Sequence, residues 1–236
     1  RDVLGSRGLG DVYKRQALGR AYGDVFLSYY YSLSYPSLVN KSKKQDSVFN
    51  FHTFMRSNRQ SSEKESMINE NKIRETCASN RGRGFKMLMD VFQEPIYNYI
   101  RRLVVSHEDA EDVLQEVFIR VFRHLDQFRS ESSLSTWIYQ IATNESLRLL
   151  NDRKEERNVA SEEIQEELIN KLQASDYIDY ENELAVKFQE AILSLPEKQR
   201  LVFNLRYYDE LEYEEIARIL DSKVETLKVN YHYAKE

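Results

Sequence analysis

One cysteine, three prolines and seven glycines in 236 residues leave little to punctuate or cross-link this chain. The lone Cys77 excludes an internal disulfide and any cysteine-rich zinc site. The four histidines, 52, 107, 124 and 232, are too scattered to form a metal-spaced pair. No run of 18 or more apolar residues is present, so membrane insertion is not expected. The most apolar stretch, VFLSYYYSLSYPSLV from Val25, is broken by Ser and Pro and lacks the order of a signal peptide. There is no Gly-rich phosphate loop, no nucleophile placed beside a base and no metal-ligand cluster. These absences argue against an enzyme and imply no cofactor. The formal net charge is −5, so any nucleic-acid contact must come from local basic faces.

What the chain does have is helix-forming composition. Glu, Leu, Arg, Lys and Gln are abundant where breakers are few, which favours helix over sheet. Residues 1–66 stand apart: rich in Ser, Tyr, Asn and Gly, without sustained period. Their opening, RDVLGSRGLGDVYKRQ, lacks an initiator Met. A non-native upstream segment is expected there, with a native start at Met67 or Met55; a disordered but genuine extension is the alternative.

From Phe85 a helical period emerges. Leu88, Val91, Phe92, Ile96, Ile100 and Leu103 recur at three- and four-residue steps, with Pro95 expected to kink the segment. Ser106 and Asp109 then signal a helix start. Val113, Leu114, Val117, Phe118, Val121, Phe122 and Leu125 make one wide apolar face beyond it. FRSESSL (128–134) reads as a polar loop. A third helix over about 135–150 places Trp137, Ile138, Ile141 and Ala142 inward. The charged stretch 151–175, with Glu155, Glu156, Glu162, Glu163, Glu166 and Glu167, reads as a linker with partial helix.

A second unit begins near Asp176, with Leu184, Phe188, Ala191 and Ile192 on one helix. Ser194 and Glu197 have capping-box spacing, with Pro196 in the first turn of the next helix. Two short helices follow, about 212–220 and 224–236, joined by Asp221, Ser222 and Lys223. Ile216, Ala217 and Leu220 point inward, and Val224 and Leu227 pack back, as a helix-turn-helix requires. The exposed side of the last helix then carries Lys223, Glu225, Thr226, Lys228, Val229, Tyr231 and His232, types that can reach phosphates or base edges. On local pattern alone an ordinary helical hairpin remains an equal reading. Asp221 sits where Gly is often found, and the charges of the last helix cancel. Glu212 stands where Ser or Thr would cap better.

Two longer runs settle the reading. DAEDVLQEVFIRVFRHLDQFRSESSLSTWIYQIATNESLRLL resembles the second domain of the extracytoplasmic-function (group IV) RNA polymerase sigma factors. SLPEKQRLVFNLRYYDELEYEEIARIL, continuing to the chain end, resembles their fourth domain. The resemblance covers about residues 70–236, in the family's order. It implies an all-α fold with four parts: 1–66, poorly structured or non-native; 67–154, sigma domain 2; 155–175, an acidic linker; and 176–236, sigma domain 4 with its helix-turn-helix. Family members continue with more basic residues, so a truncated C-terminus is expected.

The resemblance also implies roles. Asp112, Gln115, Glu116, Ile119 and Arg120 would form an exposed polymerase-binding face. Phe128, Arg129, Ser130, Ser132 and Ser133 would hold a base flipped from the −10 promoter element, which needs polar contacts to its edge and stacking to its face. Trp137, Tyr139, Gln140, Asn144 and Arg148 would meet the −10 DNA by stacking and phosphate neutralisation. Trp137 reads equally well as core, because it lies on the apolar side. Arg101, Arg102, Arg120, Arg123, Arg129, Arg148, Arg153 and Lys154 supply basic groups for the backbone. Lys223, Glu225, Thr226, Lys228, Val229, Tyr231 and His232 would read the −35 element. The implied partners are bacterial core RNA polymerase and promoter DNA, with an anti-sigma factor left open, in the cytoplasm. A free-standing helix-turn-helix regulator would instead need a dimer matching two half-sites, and no dimer stripe is evident. A fragment without DNA activity is the remaining alternative.

Overall fold

The computed structural model describes residues 70–125, 128, 133–173 and 183–236; the expectation for residues 1–66 lies outside these. No strand occurs among the described residues. The chain divides into two compact units, Arg1–Thr76 with Asn80–Lys86, and Cys77–Ser79 with Met87–Glu236. In the first, the described residues 70–76 and 81–86 are helical. Apart from the first turns of helix α1, the features discussed below lie in the second unit.

Helix α1 (Arg81–Val104) runs without a break through Pro95. Its part in the second unit buries Leu88, Phe92, Ile96, Ile100 and Leu103, the stripe expected from spacing, while Val91 of that stripe is 37% exposed. Val105 ends it with φ 64, a left-handed conformation that a β-branched residue adopts only under strain. Helix α2 (His107–His124) follows at once, and the Ser106 hydroxyl accepts from the Asp109 N–H at 3.4 Å. Its buried face contains Val113, Leu114, Val117, Phe118 and Val121 of the periodic one, while Phe122 and Leu125 are half-buried.

Helix α3 (Leu134–Arg157) extends two turns beyond the sequence expectation. Arg, Lys and Glu propagate helix well, so the charged run after Leu150 continues the helix until Asn158 stops it at φ 51. The acidic segment then forms helix α4 (Ser161–Gln173). Glu162, Glu163 and Glu166 face water, Glu167 pairs with Arg157 and Lys171, and Ile164, Leu168 and Leu172 form an apolar stripe at four-residue steps. That stripe joins Val105, Leu150 and Leu193 in one cluster, linking α1 and α3 to helix α5 (Glu183–Ser194). The Gln165 amide reinforces the join, donating to the carbonyls of Leu193 (2.5 Å) and Leu195 (3.1 Å) at the end of α5.

Helix α6 (Glu197–Phe203) restarts after Pro196, but the expected capping box does not form. Pro196 takes the cap position, and the Ser194 hydroxyl turns back to the Ala191 carbonyl. Of the α5 stripe, Phe188 (39% exposed) and Ala191 are exposed and Ile192 is buried. A π-helical turn (Asn204–Tyr208), not anticipated, ends α6. Helices α7 (Tyr213–Ile219) and α8 (Val224–Lys235) complete the helix-turn-helix around Ile216, Ile219 and Leu227. Asp221 supplies the left-handed turn residue at φ 45, the conformation for which Gly is preferred and Asp tolerated. Glu212 does precede α7, and its N–H donates to the Glu215 carboxylate at 3.1 Å, a bond that partly offsets the missing hydroxyl cap.

Candidate functional site

The expected polymerase-binding face lies on α2. Asp112 is exposed, and Gln115, Glu116 and Arg120 are half-buried. Ile119 corrects the expectation: it is 6% exposed and belongs to the core. The face is not a free row of charges either. Arg120 is drawn to Glu145 of α3 at 2.8 Å and to Glu116 at 3.7 Å. Glu145 is itself buried, and accepts from Arg148 Nε at 3.0 Å and from a second guanidinium nitrogen at 2.6 Å. One carboxylate therefore gathers the guanidinium groups of two surfaces that the sequence treats separately. Glu145 carries no motif that would have singled it out.

Of the expected base-capturing loop, Arg129, Ser130 and Ser132 lie outside the described residues. Phe128 is half-buried, with its ring 4.9 Å from that of Trp137. Ser133 serves as the N-cap of α3, accepting from the Thr136 N–H at 3.0 Å and meeting the Thr136 hydroxyl at 2.7 Å. The cap fixes where α3 begins and so where its side chains point.

Along α3, Asn144 and Arg148 are exposed, and Trp137 and Gln140 are half-buried. Tyr139, expected at the DNA, is 6% exposed and turned inward. Its ring meets that of Tyr99 edge-on at 5.3 Å, and its hydroxyl donates to Asp209 at 3.1 Å. Burial pushes the Tyr139 hydroxyl well above its ordinary pKa, so it stays a donor. The other Asp209 oxygen accepts from Arg102 at 2.6 Å. Burial raises the Asp209 carboxyl, and the nearby guanidinium pulls it down. The Arg102 guanidinium also lies 4.7 Å from the Tyr208 ring centroid. Helix α7 packs on α3 beside this cluster, and the Gln140 amide donates to the Arg218 carbonyl at 3.4 Å.

Most of the basic groups counted from sequence are thus engaged internally. Arg101 is buried, Arg102 pairs with Asp209, and Arg153 pairs with Asp109. The exposed side of α8 follows expectation for Lys223, Glu225, Thr226, Lys228, Val229 and His232. Tyr231 departs from it: half-buried, its ring packs 5.9 Å from Phe203 and 6.4 Å from Tyr213. An aromatic ring at this register gains more from the Phe203–Tyr207–Phe188 cluster than from water. The Lys228 ammonium lies 5.7 Å from the Tyr213 ring centroid. Among the described residues no group of His, Cys, Asp and Glu could hold a metal ion, and no helix is long and apolar enough to cross a membrane.

Residues 88–156 match the family model described as Sigma-70 region 2, and residues 185–236 match Sigma-70, region 4. Over 159 residues the chain is 32% identical to the ECF RNA polymerase sigma factor SigW of Bacillus subtilis (strain 168), an alignment spanning 64% of this chain and 85% of that protein. It is 33% identical over 165 residues to the ECF RNA polymerase sigma-E factor of Escherichia coli (strain K12), spanning 65% and 84%. Two solved structures share the fold. One is CnrH in complex with the cytosolic domain of CnrY, with a TM-score of 0.52, 17% identity, and coverage of 71% of this chain and 92% of that chain. The other is the sigma factor RpoE in complex with the anti-sigma factor NepR from Bartonella quintana, with a TM-score of 0.50, 20% identity, and coverage of 64% and 91%.

Proposed function

Because the chain belongs to the extracytoplasmic-function sigma factors of RNA polymerase, which direct promoter-specific transcription initiation, we propose how its own residues divide that work. Residues 67–154 act as sigma domain 2, residues 176–236 as sigma domain 4, and residues 155–175 join them. The protein works in the cytoplasm as a non-enzymatic subunit of bacterial core RNA polymerase bound to promoter DNA. An anti-sigma factor, of the kind that accompanies RpoE in its solved complex, is a further partner.

The observation that carries the assignment is the arrangement of three polar helix faces, partly or fully exposed, over buried supports. On α2, Asp112, Gln115, Glu116 and Arg120 surround a core-anchored helix and offer core polymerase mixed charge. On α3, Asn144 and Arg148 face water beside Gln140 and the Trp137–Phe128 pair, giving the −10 element stacking, amide and phosphate contacts. On α8, Lys223, Glu225, Thr226, Lys228, Val229 and His232 are presented as a recognition helix presents its groove-facing side to the −35 duplex. Ile119, Tyr139 and Tyr231 support these faces from beneath. With so many arginines held in internal pairs, the isolated protein binds duplex weakly. The polymerase raises the effective concentration of both readers by holding them on one scaffold.

The test is reconstitution. Mixed with core polymerase and a promoter library, the protein is expected to co-elute with the enzyme and to support run-off transcription. Footprinting of duplex without polymerase would favour a free-standing regulator instead. Failure to join core polymerase, with helicity intact by circular dichroism, overturns the assignment.

A further inference from the structure

The outward side of helix α8 is not simply basic. Leu227 is 1% exposed and anchors the helix to the core. At about 3.6 residues per turn, Glu225 and Val229 lie roughly 160° and 200° round the helix from Leu227, at the middle of the side that faces away from the core. Both are exposed, Val229 at 51%. Four positions apart, they form one stripe along the helix. A β-branched residue lowers helix propensity, and an exposed one recovers nothing from packing, so Val229 contributes little here as a structural residue.

Elimination narrows what this stripe can read in a major groove. Guanine is ordinarily taken by Arg or Lys, and adenine by Asn or Gln, through paired hydrogen bonds to the base edge. Helix α8 contains no Arg and no Gln. Its Asn230 is half-buried, about 60° round the helix from Leu227. The Lys228 ammonium is held at the flank, 5.7 Å from the Tyr213 ring centroid, and Lys223 occupies the N-cap position, so both are placed for phosphate. Thr226 can bond any base edge and so selects little. His232 and Tyr233 lie in the third turn, past the N-terminal residues that reach bases in a helix-turn-helix. What remains at base-edge reach is an acceptor-only carboxylate and an isopropyl group. A carboxylate accepts from the cytosine N4 amine, and an apolar side chain packs on the thymine C5 methyl.

We propose that Glu225 and Val229 set the base preference of this chain at the −35 element: the Glu225 carboxylate accepts a hydrogen bond from the N4 amine of a cytosine, and the Val229 side chain packs on the C5 methyl of a thymine. Four residues span about 6 Å of helix axis and one base pair about 3.4 Å of duplex, so the two bases stand about two base pairs apart. Lys223 and Lys228 offset the repulsion between the carboxylate and the flanking phosphates. The proposal rests on assigning α8 to the −35 duplex, and it names the bases which that assignment alone leaves open.

The experiment uses the full chain with core polymerase and promoter duplexes whose −35 segment is randomised, read by run-off transcription at subsaturating template. Templates favoured by the unmutated chain are expected to share a C·G pair and a T·A pair about two base pairs apart. Glu225→Gln exchanges an acceptor for an amide that suits adenine. Preference at the first pair is expected to move from C·G to A·T by roughly fivefold or more, with the second pair unchanged. At the thymine, deoxyuridine lacks only the methyl. It is expected to lower initiation about fourfold with the unmutated chain and to have no effect with Val229→Ala. Both substitutions fall on exposed positions, so neither disturbs the core. An enriched element without these two pairs overturns the inference. So does a Glu225→Gln loss spread evenly over all sequences, which would mean that Glu225 serves the first turn of α8 by its charge alone. Equal sensitivity of the unmutated chain and Val229→Ala to deoxyuridine overturns the role of Val229. A −35 preference that survives both substitutions overturns the inference and leaves α8 as the reader of that element. Transcription with no preference anywhere in the segment overturns the assignment of α8 and the inference with it.

Discussion

Helix α4 offers the sharpest test of how this molecule is held together, because its sequence advertises one thing and its packing another. Leu168 is 2% exposed, in a cluster with Val105, Leu150, Ile164, Leu172 and Leu193. Truncating a buried leucine to alanine costs about 2–5 kcal/mol, from lost transfer energy plus the cavity left behind. Leu168 bridges three helices that cannot collapse together without moving α3 against α5, so the site relaxes poorly and about 3 kcal/mol is expected for Leu168→Ala. With a urea slope of roughly 2 kcal/mol per molar for a domain of this size, the midpoint should fall by about 1.5 M. Glu163→Gln and Glu166→Gln, on the exposed side of the same helix, should move it by no more than a few tenths of that energy each. Circular dichroism against urea measures all three. Limited trypsin digestion around Lys154–Lys171 adds a local readout, expected to accelerate in Leu168→Ala alone. Identical midpoints for Leu168→Ala and the unmutated chain would refute the cluster and return the segment to a solvated tether.

The other expectations are narrower. Val117, fully buried in α2, should not tolerate Val117→Asp, which places an unpaired carboxylate in the core; loss of the cooperative thermal transition measures it. Tyr139→Phe removes the hydroxyl that donates to Asp209 at 3.1 Å and should cost about 1–2 kcal/mol in denaturant titration, with a neutral effect indicating that water replaces it. Asp112→Arg reverses an exposed charge on α2 and should weaken association with core polymerase several-fold in a titration by anisotropy, without altering helicity. Arg120→Glu is a poorer probe, since it would face a second carboxylate onto buried Glu145. The Glu167 carboxyl is held below its ordinary value of 4.5, first by hydrogen bonding from Lys171 and also by Arg157. Its contribution is therefore present above that ordinary value and lost as pH falls through the lowered one. The stability gap between Glu167→Gln and the unmutated chain should accordingly exist at neutral pH and close in acid, by urea midpoint at each pH.

Periodicity identified the helices whose burial is one-sided and continuous. The stripes of α1 and α2 could be read directly because their apolar residues recur every three or four positions along about three to four turns. The same rule applied to α4, where Ile164, Leu168 and Leu172 share a face, but six glutamates on and before the helix masked three apolar residues in any averaged view. The exposed side of α8 was legible except at Tyr231, whose ring is long enough to reach a neighbouring aromatic cluster from a position that spacing places outside. Ile119 and Tyr139 failed in the same direction: a family pattern assigned them to a surface, and packing against other helices took them in. Neither the Arg102–Asp209 pair nor the Glu145 hub had a local signal, because each depends on residues brought together from distant parts of the chain.

That last class of contact explains an apparent contradiction in the composition. A chain with net charge −5 and 34 basic residues has charge to spare for DNA only if its basic groups are free. Here many are not: Arg102, Arg120, Arg148, Arg153, Arg157 and Arg206 all stand in ion pairs with carboxylates of the same chain. A guanidinium already neutralised has few counterions to release from DNA, so salt dependence should be shallow for the free protein. The slope of log affinity against log salt for the isolated protein measures this directly. A slope as steep as one phosphate contact for every exposed arginine and lysine would mean that the internal pairs do not hold in solution.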